Sequence, residues 1–149
     1  MFSEQPSGSP NPLPSSPPQP VDGQSRIRVL LVDDHALFRQ ELKGILVDCV
    51  CLEVVGEASN GLEAIDAVSL LRPDVVVMDI NMPKMNGIEA TRRIKDEFPD
   101  TFIIGLSVED GMATVLKMHA AGIFAYLLKE SAGEALCHVI EDAVAQKQR

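Results

Sequence analysis

From Arg26 onward, the sequence alternates five times between a short apolar run and a longer segment with the 3.6-residue period of an amphipathic helix. The third run, Val75-Val76-Val77-Met78, is apolar at every position, as in a strand that is covered on both faces. Right-handed crossovers between parallel strands are nearly obligatory, so this order predicts an α/β fold: a doubly wound five-stranded parallel sheet with helices on both faces. The predicted strands cover 27–32, 52–58, 75–78, 102–106 and 124–128.

The segments between the strands carry signals for where each helix begins and ends. Asn60 followed by Glu63 predicts a capping box at the start of the second helix, and Ser131 followed by Glu134 predicts another at the start of the last. Gly122 is typical of a residue that ends a helix in the left-handed conformation. The remaining helices are expected after the first strand, from about 87 to 98 and from about 112 to 121.

Residues 1–25 differ in composition from the rest of the chain. They contain seven of the ten prolines among Ser, Gly and Gln. Such a composition predicts a disordered N-terminal tail. We therefore expect one domain, over residues 26–146.

The charge of the chain excludes several classes of protein. A formal net charge of -9 leaves no basic surface of the kind that binds nucleic acid, so direct nucleic-acid binding is not expected. Neither a basic segment followed by an apolar run near the N-terminus nor a long apolar stretch is present in the sequence. We expect a cytoplasmic protein that makes no contact with a membrane.

The cysteines and histidines do not form a recognisable metal motif. Cys49, Cys51 and Cys137 lack the spacing of a zinc site, and we expect small buried thiols in a reducing compartment. For the three histidines we expect surface or capping roles; they are His35, His119 and His138.

Charged and hydroxyl side chains follow the strands of the predicted sheet. Asp33 and Asp34 end the first strand, Asp79 the third, Ser107 the fourth and Lys129 the fifth. Each could be a helix cap, a turn residue or a solvated charge. In doubly wound folds, however, the carboxyl ends of the strands form the ligand site, and three carboxylates brought together favour a hard divalent cation. A lysine and a hydroxyl nearby would complete a site for a phosphoryl group.

Four segments carry a family resemblance, in order and at the expected spacing across about residues 26–146. They resemble the receiver domain of two-component response regulators; the segments are Val32-Asp33-Asp34-His35, Val77-Met78-Asp79-Ile80-Asn81-Met82-Pro83, Leu106-Ser107 and Tyr126-Leu127-Leu128-Lys129. The resemblance implies a flavodoxin-like fold with strand order 2-1-3-4-5. It also implies a phosphoprotein that takes a phosphoryl group from a histidine kinase and is not an enzyme acting on external substrates.

The resemblance assigns a role to each site residue. Asp79 is similar to the phosphoacceptor, and Mg²⁺ would be bound directly by Asp34, Asp79 and the backbone carbonyl of Asn81, with Asp33 acting through water.

Lys129 and Ser107 would each contact a phosphoryl oxygen, while Ser107 and Tyr126 would form a switch. The face formed by the fourth helix, the fifth strand and the fifth helix would then contact a partner or a second copy of the chain.

Glu130 stands after the lysine, where many receivers carry proline. Together with the segments 33–39, 54–58 and 126–131, it resembles receivers of the LuxR/NarL type. These usually precede a helix-turn-helix domain, so the resemblance implies control of transcription through a DNA-binding domain that this sequence does not contain.

Three other functions fit the sequence less well. A flavin binder would need a phosphate loop after the first strand, where Asp33 and Asp34 would repel a phosphate. A phosphatase that forms an aspartyl-phosphate would carry an aspartate two residues after its nucleophile, and Asn81 stands there. The main alternative is a pseudo-receiver that is never phosphorylated and acts only by binding proteins.

Overall fold

The computed structural model describes residues 26–108 and 111–147, and the predicted N-terminal tail lies outside them. The strands are β1 (Ile27–Val32), β2 (Leu52–Ala58), β3 (Val75–Asp79), β4 (Phe102–Ser107) and β5 (Ala125–Leu128). The helices are α1 (Ala36–Leu46), α2 (Gly61–Leu71), α3 (Gly87–Glu97), α4 (Met112–Ala121) and α5 (Ala132–Lys147). A short 3-10 turn, Lys129–Ser131, lies between β5 and α5.

The five strands form one parallel sheet in the order β2-β1-β3-β4-β5, which confirms the predicted fold and strand order. β1 pairs with β2 on one side and with β3 on the other, so the direction in which the chain is wound reverses between β1 and β3. In doubly wound sheets this reversal opens a crevice beyond the carboxyl ends of the two strands. Asp33 follows β1 and Asp79 ends β3, which places both at this crevice.

Helices cover both faces of the sheet, as predicted. Successive residues of β1 contribute to opposite faces: Leu30 and Val32 to one core cluster, Val29 and Leu31 to the other. The first cluster includes buried residues of α2, α3 and α4, namely Ala64, Val68, Ala90, Ile94 and Met118. The second includes buried residues of α1 and α5, namely Leu42, Leu46, Ala132, Leu136 and Ile140. Every residue of β3 is buried, which explains its unbroken apolar run.

The helix ends follow the sequence signals in two cases out of three. The Asn60 side chain accepts a hydrogen bond from the Glu63 backbone N–H, and Gly122 ends α4 at a φ of 113°. The capping box predicted at Ser131 was wrong. The 3-10 turn places the Ser131 hydroxyl 3.3 Å from the Leu128 carbonyl oxygen, to which it donates.

All three cysteines differ from the sequence expectation of buried thiols. Cys49, just after α1, and Cys137, on α5, form a disulfide with their Cα atoms 6.6 Å apart. Both helices cover the same face of the sheet, which brings together residues separated by 88 positions. Cys51 is a free cysteine and is exposed rather than buried.

Gly87 allows the first turn of α3 to lie against the end of β3. Its N–H donates to the Ile80 carbonyl oxygen over 2.8 Å. A Cβ at this position would overlap the Asp79 carbonyl oxygen and lie 2.9 Å from Ile80 Cα. Glycine is therefore required here for close backbone contact and not for an unusual φ.

Gly87→Ala is expected to lower the free energy of unfolding by about 1–3 kcal/mol, because the added methyl group must displace backbone. Gly44→Ala on α1 is the matched control, since a Cβ there meets nothing within 4 Å. That substitution should be neutral or stabilising by up to about 1 kcal/mol, given the higher helix propensity of alanine. Urea denaturation of both variants measures the difference, and equal stabilities would contradict the close contact at Gly87.

Candidate functional site

The three aspartates predicted from the strand ends lie together in the crevice between β1 and β3. Asp33 and Asp79 are buried, with exposed fractions of 1% and 2%, while the Asp34 side chain is 28% exposed. One ligand atom from each of these residues and from His35 lies within 4.8 Å of all the others. Two buried carboxylates and one at the rim therefore face a common volume.

Lys129 supplies a positive charge to this cluster. Its Nζ lies 2.8 Å from Asp33 Oδ2 and 3.4 Å from Asp79 Oδ2, and it also lies 4.7 Å from the ring centroid of Phe38 on α1. The ring is within the range of a cation–π contact. Strand β5 and the 3-10 turn thus bring the ammonium group across to the ends of β1 and β3, as the sequence predicted.

A single ammonium group does not neutralise the carboxylates. The pKa of Asp79 is raised from 3.8 to about 6, chiefly because the group is buried and secondly because of the negative charge of Asp33. The nearby charge of Lys129 and a hydrogen bond from the Asn81 backbone N–H lower the pKa and only partly offset these effects.

Two buried carboxylate oxygens also indicate that one ammonium group does not neutralise the cluster. Asp33 Oδ2 and Asp79 Oδ2 are both buried, and they share the Lys129 ammonium group as a neighbouring cation. Buried carboxylate oxygens in this state are suited to a cation with oxygen ligands. The residues present therefore fit a divalent metal ion.

His35 lies closer to the carboxylates than the sequence indicated. It is the residue before α1, its backbone N–H donates to Asp33 Oδ1 over 2.8 Å, and its side chain makes no capping hydrogen bond. The ring instead places Nδ1 3.2 Å from Asp33 Oδ1 and 3.2 Å from Asp34 Oδ1. The His35 ring thus lies against both of the carboxylates that follow β1.

Arg39, on α1, contacts the backbone at the carboxyl end of β1. Its guanidinium group donates to the Asp33 backbone oxygen and to Glu57 Oε1, the latter over 2.9 Å. Lys43 also donates to Glu57, and these two cations hold the pKa of that carboxyl below its usual value, with Lys43 the larger cause. Sequence reasoning assigned no function to Arg39. One sequence signal could have indicated its position: Arg39 stands four residues after His35, so the two residues lie one helical turn apart.

Ser107 and Tyr126 lie on neighbouring strands. Ser107 ends β4 and is buried, and the β4–β5 register places Leu128 opposite Ser107 and Tyr126 opposite Gly105. Because residues two apart share a face, Ser107 and Tyr126 are on the same face of the sheet. The Tyr126 ring is partly buried and packs against the core cluster beneath α4.

Within the described residues, no helix is long and apolar enough to cross a membrane.

Comparison with known proteins agrees with this geometry. Residues 29–141 match the family model of the response regulator receiver domain. The chain is 40% identical over 123 residues to the transcriptional regulatory protein DegU of Brevibacillus brevis, covering 83% of this chain and 52% of that protein. It is 35% identical over 128 residues to the nitrate/nitrite response regulator protein NarL of Escherichia coli K12, covering 84% of this chain and 58% of that protein.

The chain thus spans little more than half the length of these two relatives. Among solved structures, the response regulator domain of Thermotoga maritima CheB superposes with a TM-score of 0.75 at 35% identity, over 80% of this chain and 97% of that one. The buried aspartates at the β1/β3 crevice, the parallel sheet around them and these matches lead to one conclusion. This chain belongs to the response regulator receiver domain family.

Proposed function

We propose that the domain accepts a phosphoryl group from a histidine kinase on Asp79 in the presence of Mg²⁺, and that it thereby acts as a switch in a phosphorelay. The observation that carries the proposal is the buried Asp79 carboxylate, which shares one crevice with two further aspartates and with Lys129. Asp79 supplies the nucleophile and Lys129 a positive charge, while the carboxylates are suited to a cation.

In the transfer, a carboxylate oxygen of Asp79 attacks phosphorus, and the bond from phosphorus to the donor's nitrogen or oxygen breaks. The leaving group takes that electron pair. A pKa of about 6 leaves Asp79 mostly ionised at neutral pH, so it can act as the nucleophile. Lys129 and the hydroxyl group of Ser107 would stabilise the phosphoryl oxygens.

Asp34, Asp79 and the carbonyl oxygen of Asn81 would hold Mg²⁺ directly, with Asp33 bound through water. When present, the ion would offset the negative charge of the carboxylates and of the incoming phosphoryl oxygens.

The contacts of Asp33 and Asp34 support the proposal that Asp34 binds Mg²⁺ directly and Asp33 through water. Both oxygens of Asp33 already have neighbours, Oδ1 at His35 and Oδ2 at Lys129. Asp34 is more exposed and has fewer such contacts, which favours it as the direct ligand.

Asp34→Ala is therefore expected to weaken Mg²⁺ binding more than Asp33→Ala. Calorimetric titration of each variant with Mg²⁺ measures this, with Asp142→Ala on the exposed face of α5 as the control. A larger loss for Asp33→Ala would reverse the two roles.

The proposed output is a rearrangement around Ser107 and Tyr126. A phosphoryl group adds about -1.5 to -2 charge, enough to draw the Ser107 hydroxyl and the Lys129 ammonium toward it. The space left by Ser107 would then admit the Tyr126 ring, changing the α4, β5 and α5 face. That face would contact a partner or form a homodimer, and in a cytoplasmic regulator it would control transcription through a separate DNA-binding domain. Apart from slow loss of its own phosphate, the domain would catalyse no reaction.

Because Tyr126 is the only tyrosine and the chain has no tryptophan, its fluorescence should report this change directly. Addition of beryllium fluoride with Mg²⁺ is expected to shift the emission intensity of the wild-type protein and to leave Asp79→Asn unaffected. If an adduct forms at Asp79 while emission and self-association stay constant, the output uses another face.

Incubation of the full chain with acetyl phosphate and Mg²⁺ tests the proposal as a whole. Intact-mass measurement should show one added phosphoryl group. A pseudo-receiver would show none under any donor, and its partner binding would be independent of Mg²⁺.

A further inference from the structure

The disulfide between Cys49 and Cys137 joins α1 to α5 where the two helices pack side by side. Ile45 and Gly133 form one contact between them, since a Cβ added at Gly133 would lie 3.2 Å from Ile45 Cδ1. Cys49 and Cys137 each stand four residues further along, about one helical turn, and form the next contact. The two helices therefore run in the same direction, and the disulfide fixes their relative position.

Both cysteines lie at the rim of the core. Each is partly buried and packs against the core cluster that α1 and α5 cover. Cys49 also lines a groove of about 460 Å³ between the end of α1 and the edge strand β2. This volume is within the range of sites that admit small molecules. A low-molecular-weight thiol or disulfide therefore has a route from solvent to Cys49.

The surroundings of this disulfide favour a pair that opens and closes. The sequence predicts thiols in a reducing compartment, where disulfides are usually transient and serve catalysis or redox sensing. Exposed disulfides are the more easily reduced ones, whereas structural disulfides resist the glutathione pool. Cys49 precedes β2, at the opposite end of the sheet from the carboxylate crevice, so the proposed phosphoryl transfer uses neither sulfur.

We propose that Cys49 and Cys137 form a reversible dithiol–disulfide site, and that its oxidised form holds α5 against α1 and so restrains the face of α4, β5 and α5. In the oxidation, the Cys49 thiolate attacks a small disulfide, such as oxidised glutathione, and releases one small thiol. The Cys137 thiolate then attacks the Cys49 sulfur of the mixed disulfide and displaces the second small thiol. Two electrons and two protons thus pass from the pair to the small disulfide, and reduction by two small thiols reverses both steps.

The restraint on the output face rests on the proposed function, because it assumes that this face responds to phosphorylation. The redox chemistry does not depend on that assumption.

Alkylation after equilibration of the folded chain in glutathione buffers tests the redox site. Cys51→Ser serves as the background, because Cys51 is an exposed free cysteine. After an acid quench and unfolding, the oxidised protein should take up no alkyl group and the reduced protein two, and each state should be reached from the other. Peptide mapping of the oxidised wild-type chain should link Cys49 to Cys137.

Three results would overturn the redox site. Two alkyl groups in every buffer would show that the pair does not form, and none in any buffer would show a permanent disulfide. A link between Cys49 and Cys51 in the wild-type chain would show that the partner is not Cys137.

The emission of Tyr126 tests the restraint. Addition of beryllium fluoride with Mg²⁺ should change the emission more in the reduced background protein than in the oxidised one. Cys137→Ser, which cannot form the cross-link, should respond as strongly as the reduced protein. His138→Ala, a change at the exposed neighbour on α5, should keep the difference between the two redox forms. Equal responses of the oxidised and reduced background proteins would overturn the restraint.

Urea denaturation gives a readout that needs no substitution in the pair. Reduction of the background protein should lower the urea midpoint, since the cross-link spans 88 residues and restricts the unfolded chain. The midpoint of Cys137→Ser should not change with the buffer. An unchanged midpoint on reduction of the background protein would contradict a cross-link between α1 and α5.

Failure of this proposal differs from failure of the proposed function. If acetyl phosphate never labels Asp79 in either redox form while alkylation shows both forms, the phosphoacceptor function fails and the redox site stands. If Asp79 is labelled and the pair never forms, the reverse holds.

Discussion

Asp79→Asn is expected to abolish phosphoryl incorporation from acetyl phosphate while the protein remains folded. The amide lacks the nucleophilic oxygen, and its similar size fits the buried position without displacing neighbours. Intact-mass spectrometry after incubation with donor and Mg²⁺ measures the loss, and circular dichroism checks the fold.

Asp142→Asn is the matched control for this experiment. It makes the same chemical change on the exposed surface of α5, away from the crevice, and should be labelled as fully as the wild-type chain. Undiminished labelling of Asp79→Asn would show that the phosphoacceptor is a different side chain.

Asp79→Asn is also expected to stabilise the metal-free protein at neutral pH. The pKa of Asp79 is raised to about 6 from 3.8, so between these pH values the folded state binds more protons than the unfolded chain. The free energy of unfolding therefore falls as pH rises through this window. The full destabilisation by the ionised Asp79 is present above pH 6. A shift of this size corresponds to roughly 3 kcal/mol at most, since one pKa unit is about 1.4 kcal/mol.

Urea denaturation with a chelator present, at pH 5 and at pH 7.5, measures this effect. The stability advantage of Asp79→Asn over wild type should be larger at pH 7.5 than at pH 5. Adding Mg²⁺ should stabilise wild type more than the variant, because the variant has lost one carboxylate ligand. A pH-independent difference between the two proteins would show that the charge of Asp79 does not limit stability.

The fold and the carboxylate cluster could be predicted from sequence for one shared reason. A strand such as β3, buried on both faces, has an unmistakable apolar pattern, and the parallel order brings the residues after β1 and β3 to one edge. Asp33 and Asp79 are therefore neighbours whatever the details of the loops, and Lys129 reaches them from the same edge of the sheet, beyond β4.

Contacts made by rings and guanidinium groups could not be predicted in this way. The placement of His35 and Phe38 beside charged groups depends on the direction in which α1 leaves β1, and no sequence period encodes that direction. The Cys49–Cys137 pair depends on the packing of α1 beside α5, across 88 residues of chain. The error at Ser131 has a local cause, because the capping pattern does not distinguish an α-helix from a preceding 3-10 turn.

The contact between Gly87 and the end of β3 bears on which parts of the domain can move. With no side chain between them, the first turn of α3 and the backbone of Asp79 and Ile80 are in direct contact and share a hydrogen bond. A charge added at Asp79 would therefore meet closely packed backbone on the α3 side of the crevice. Under the proposed switch, displacement is therefore expected across the crevice, at the ends of β4 and β5, and not between β3 and α3.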